Sequence, residues 1–128
     1  MYTIRVFYDR AGILGRVYGE EEVRSYRSAE EVLAVVKTLL PMMRKGSGKV
    51  NNVSFRLTYD GDGRSVYVEM DNHSEQEGGV YTVTDEMPPS DGQIWTQRKR
   101  PAKMTAACVK KHIAAFLAKN AADDANAA

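Results

Sequence analysis

A chain of 128 residues with 43% hydrophobic and 27% charged side chains has the size and composition of one folded, water-exposed domain, which argues against the disordered and membrane-embedded classes. Its formal charge of +1 gives no global pull toward polyanions. The single cysteine, Cys108, cannot close an internal disulfide, and with only His73 and His112 beside it no structural zinc set forms, so neither metal nor cofactor is expected.

In chain order, Tyr2, Ile4, Val6 and Tyr8 alternate with Thr3, Arg5 and Asp9, the period of a half-buried strand; Phe7 breaks the polar side. After a turn at 11–15, residues 16–26 form a second strand whose Glu20, Glu21 and Glu22 suit an exposed edge. Ser28-Ala29-Glu30-Glu31 fits a capping box. Val32, Val36, Leu39, Leu40 and Met43 then supply an apolar stripe, and Pro41 predicts a kink or an end near Leu40. Val53, Phe55, Leu57 and Tyr59 alternate cleanly, the run 60–63 (DGDG) suits a tight hairpin, and Val66, Val68 and Met70 mark the returning strand. Residues 80–84 predict a further strand, the two prolines in 86–92 an exposed loop, and 93–97 a short edge strand. A final amphipathic helix is expected from near Pro101 to about Lys119, with Ala102, Ala106, Val109, Ile113, Phe116 and Leu117 on its apolar side.

These elements predict an α+β domain over residues 1–120: a mostly antiparallel sheet of about five strands, in ββαβββα order, with two helices packed on it. The alanine-rich tail, 121–128, is expected to fray. No apolar run reaches the roughly 20 residues of a membrane span, and the N-terminus lacks a signal-peptide layout, so an intracellular, cytoplasmic location is expected.

Charge is unevenly distributed. From Asp60 to Asp91 there are nine acidic residues and one basic, Arg64, whereas 92–119 holds seven basic residues and no acid. Arg98, Lys99, Arg100 and Lys103 would crowd the N-terminal end of the last helix, where free amides and the helix dipole already favour an anion. Lys110 and Lys111 extend the candidate phosphate or acidic-partner site. The string Lys99-Arg100-Pro101-Ala102-Lys103, followed by Ala106 and Ala107, is similar to the basic helix start of double-stranded RNA-binding domains, and the helix, three strands, helix order from Ser28 to Lys119 is similar too. That resemblance implies phosphate contact by Lys99, Arg100 and Lys103. The chain departs from the pattern in lacking a Gly-Pro-x-His-like loop between the first two strands and in placing Pro101 inside the motif.

Other constellations are weak. Arg64 interrupts a calcium-loop reading of Asp60 and Asp62, adjacent strand glutamates at 20–22 point to opposite faces, and Cys108 with His112 at i, i+4 lies off the apolar stripe. No catalytic activity is expected. The sequence reads as a small non-catalytic binding protein acting through protein–protein contact, of the size of an accessory or mobile-element regulator or inhibitor. Duplex RNA or DNA is the alternative partner, and a homodimer is a further form of association.

Overall fold

The computed structural model describes residues 1–11, 17–45, 50–70, 80–89 and 92–127. The elements are β1 (Tyr2–Ala11), β2 (Val17–Tyr26), α1 (Ala29–Lys45), β3 (Val50–Tyr59), β4 (Ser65–Met70), β5 (Tyr81–Met87), β6 (Gln97–Arg98), β7 (Ala102–Met104) and α2 (Ala106–Ala127). All pairings are antiparallel, in the order β2-β1-β3-β4-β5-β6, with β7 also pairing β5. This is the expected α+β class with two strands more than expected. Of the turn expected at 11–15 only Ala11, the last residue of β1, is described, and residues 12–16 and 71–79 lie outside the described residues.

The alternating residues account for the layers. Tyr2, Ile4 and Val6 of β1, Val53, Phe55, Leu57 and Tyr59 of β3, Val66, Val68 and Met70 of β4, and Tyr81 and Val83 of β5 are buried under the helices. From α1 the core takes Val32, Val36, Leu39, Leu40 and Met43, and from α2 Val109, Ile113 and Leu117. Period two in the strands and near period four in the helices thus meet in one core.

Local signals set the ends. Ser28 Oγ accepts the Glu31 amide at 3.2 Å, the expected cap of α1. In the β3–β4 turn Gly63 has φ +80°, a left-handed conformation that a side chain would strain, and a Cβ on Gly61 would meet the Tyr59 ring at 2.7 Å. Asp62 Oδ1 accepts the Arg64 amide at 2.9 Å, so the aspartate closes a turn.

Two expected helix boundaries move. Helix α1 does not end near Leu40 but runs through Pro41 to Lys45. A mid-helix proline costs roughly 3 kcal/mol, but full burial of Leu40 and Met43 returns about 2 kcal/mol each, so packing wins. Tyr81 Oη also donates to the Leu40 carbonyl at 2.6 Å in the core. Tyr81→Phe will therefore cost about 1–2 kcal/mol in urea denaturation with an unchanged m-value.

The last helix does not begin near Pro101 either. Ala102–Met104 pair with β5 as β7, and α2 starts at Ala106, with the Thr105 hydroxyl accepting the Cys108 amide at 3.4 Å. The stretch from Arg98 to Ala102 faces the shorter stretch from Glu86 to Val83, so β6 and β7 are one edge strand interrupted by a bulge at 99–101. Pro101, with no amide to donate, fits that break. Helix α2 continues to Ala127, beyond Lys119, through a run rich in the strongest helix former.

Candidate functional site

The face of the sheet away from the helices is built from residues that alternate with the core. On it, Arg56 packs against an edge-to-face pair of rings with centroids 6.4 Å apart, lying 5.8 Å from the Phe7 centroid and 5.0 Å from that of Tyr67. Tyr67 Oη donates to Ser54 Oγ at 3.0 Å. Arg56 Nη2 lies 3.4 Å from Oε1 of Glu86, and its Nε lies 3.2 Å from Oε2 but off the line of a hydrogen bond. Glu86 is only 5% exposed, so this carboxylate is held by Arg56 and, at 3.6 Å, by Arg98 on β6 directly opposite. The polar face is therefore a stacked and ion-paired layer. Its Phe7 and Tyr67 rings are in contact with each other and with the Arg56 guanidinium.

The six cations singled out from the sequence are all exposed, but they do not share one surface. Arg98 and Lys103, opposite Glu86 and Thr82, belong to the polar face. The bulge turns Lys99 toward the helix side, where it lines a crevice. Arg100 is exposed in the bulge, and Lys110 and Lys111 are exposed on α2 in the turn between the buried Val109 and Ile113. None of Lys99, Arg100 and Lys103 is at a helix start, so the geometric basis of the likeness to RNA-binding helix starts is gone. Strand pairing, not helix propensity, decides the conformation of 102–104.

Sequence reading passed over two features beside these cations. The first is the link from β5 to β6, where Ile94 is 85% and Trp95 79% exposed, with Met87 at 41% close by in the chain. Two adjacent large apolar side chains left in water are uncommon, and the signal available was an Ile-Trp pair placed between turn residues and a basic run. The second is the crevice, about 230 Å³, walled by Met87, Ala115 and Phe116 and rimmed by Arg64, Lys99, Lys119 and His112. In it His112 Nε2 lies 2.8 Å from Asp85 Oδ1, which fixes the imidazole, and the Asp85 carbonyl accepts the Lys99 amide at 2.9 Å. Lys99 and Lys119 have no carboxylate partner among the described residues. The crevice is thus a partly apolar slot with Lys99 and Lys119 on its rim and Asp85 and Glu86 also in its lining, at the same end of β5 as Trp95.

Among the strand tyrosines, Tyr59 and Tyr81 are in the core, Tyr67 is on the polar face, and the Tyr18 side chain lies outside the described residues. Cys108 is exposed, and among the described residues no group of three His, Cys, Asp or Glu is placed to hold a metal ion. No helix among the described residues is long and apolar enough to cross a membrane. No protein-family model, no curated protein sequence and no solved structure matches the chain.

Proposed function

We propose that this chain is a non-catalytic binding protein that docks an acidic protein partner through the β5–β6 link and the cationic edge behind it. The observation that carries the reading is the exposure of Ile94 and Trp95 beside exposed Arg98, Lys99 and Arg100. Tryptophan and arginine dominate the energetics of protein interfaces, because one buries a large rigid surface and the other pairs planar carboxylates. In this arrangement Trp95 and Ile94 enter an apolar depression on the partner, and an acidic side chain of the partner enters the crevice between Lys99 and Lys119. Surrounding cations speed and orient the encounter more than they strengthen it. Such a protein acts by occupying its partner's surface, as regulators and inhibitors do.

Trp95 with cations around it also suits a base stacked on an indole, which favours single-stranded nucleic acid over a duplex. One experiment separates the two. A photo-crosslinking phenylalanine derivative at position 95, activated in the cells that make the protein, will give a discrete adduct that protease removes and nuclease does not. Introducing Lys99→Glu with Arg100→Glu will reduce that adduct severalfold. Nuclease-sensitive adducts would replace the protein reading with the nucleic-acid one.

A further inference from the structure

The far edge of the sheet carries a second interface. Strand β2 is ten residues long and pairs only with β1 among the described strands, so its outer amides and carbonyls form an open ladder. Such edges are commonly guarded by charge, and Glu21 and Glu22 look at first like guards. Each is already engaged: Glu21 pairs with Arg5 at 3.0 Å, and Glu22 accepts the Tyr8 hydroxyl at 3.2 Å. Between Glu22 and Arg24 stands Val23, 50% exposed on the polar side opposite Arg5.

We infer that β2 pairs with β2 of a second copy of this chain, antiparallel and centred on Val23. In that register Val23 lies against the partner's Val23, and Glu22 lies against the partner's Arg24 at both ends of the two-fold. Glu22 and Arg24 sit opposite the buried Val6 and Ile4, so both are on the helix side of the sheet. Cross-strand neighbours share a face, so the two pairs form on that side and both copies keep their helices there. The result is a cluster of four alternating charges. Shifting the centre to Glu22 sets Glu22 against itself, and shifting it to Arg24 sets Arg24 against itself. The charges on this edge therefore select one self-pairing and penalise its neighbours.

The helix side of the edge fits a second copy as well. A groove of about 220 Å³ runs between β2 and α1, floored by Ile4 and Val6 and walled by Val35 and Leu39, with Glu22 and Arg24 on its rim. Met42, two turns along α1 from Val35, is 39% exposed on the same flank. Two copies related about Val23 bring these flanks toward each other and cover apolar surface that one chain leaves in water. Because β2 and β6 are at opposite ends of the sheet, the pair carries its two Trp95 loops outward. A bivalent protein of this kind gains avidity for a repeated or dimeric partner.

Sedimentation velocity over a concentration series tests the pairing. The wild type will show a concentration-dependent dimer, and Arg24→Glu will weaken it on the order of tenfold or more, since two attractive pairs become repulsive ones. Glu22→Arg together with Arg24→Glu restores the alternation and will restore the dimer, which a purely structural role for either residue would not do. Val23→Lys, with its charge on the opposite face, will also weaken it, and provides the test should Arg24→Glu fail to fold. A wild-type chain that is monomeric up to about 1 mM, or a dimer indifferent to Arg24→Glu and Val23→Lys, would overturn the inference. Neither outcome touches the Trp95 loop, which Arg24 and Val23 do not contact.

Discussion

Arg56→Ala will lower the stability of the fold by about 3 kcal/mol, a loss that urea denaturation will resolve easily. The cost comes from Glu86, not from the missing arginine itself. At 5% exposure Glu86 cannot recover its hydration when its partner is removed, and Arg98, 3.6 Å away and itself well exposed, compensates only in part. Loss of the stacking on Phe7 and Tyr67 adds a smaller amount. Replacing Arg56 and Glu86 together by methionine will recover most of the stability, because a buried ion pair contributes little beyond what well-packed apolar side chains would. If the single and double variants lose the same stability, Glu86 is not held as described.

The second large effect is on binding. Trp95→Ala will weaken the partner complex about 30-fold or more, corresponding to the ~2 kcal/mol or greater loss that marks an interface anchor. Trp95 is 79% exposed and makes no ring contact within the described fold, so the same substitution will leave the unfolding free energy within about 0.5 kcal/mol of the wild type. Ile94→Ala follows the same pattern at smaller size. Lys110→Glu with Lys111→Glu, exposed on α2, will change affinity little and the association rate modestly. Isothermal titration against the crosslinked partner, once purified, reads all three affinities, and stopped-flow mixing reads the association rate.

The core was legible because period decides it locally. Phe55, Leu57 and Tyr59 alternate without interruption, and Val32, Val36, Leu39, Leu40 and Met43 recur at helical spacing, so each set points to one side whatever the topology. The short edge strand expected at 93–97 lies instead at Gln97–Arg98 and continues as β7, which was not legible, because 97–104 has no apolar period and its conformation comes from pairing with residues 81–87. Pro101 and the alanines after it are equally compatible with a helix start, and only Thr105 carries the local cap signal that the structure uses. Pro41 does not end the helix for a related reason: its penalty is local, while the burial of Met43 that offsets it depends on the whole core.

At the site, the basic residues could be found by counting, but their division between two faces depends on a bulge that composition does not encode. His112 and Asp85 are 27 positions apart and meet only because α2 lies along β5. Ile94 and Trp95 were visible as residues and not as a surface, since a lone apolar pair in a loop is as easily buried as exposed.

Trp95 is the only tryptophan in the chain, so its fluorescence reports on the proposed anchor without any label. The decisive measurement is the emission maximum of the wild-type protein titrated with the purified partner. Docking through the loop predicts a water-exposed indole spectrum in the free protein that shifts to the blue and saturates with the binding isotherm. Saturable binding with no change in Trp95 emission would place the interface elsewhere and contradict the account.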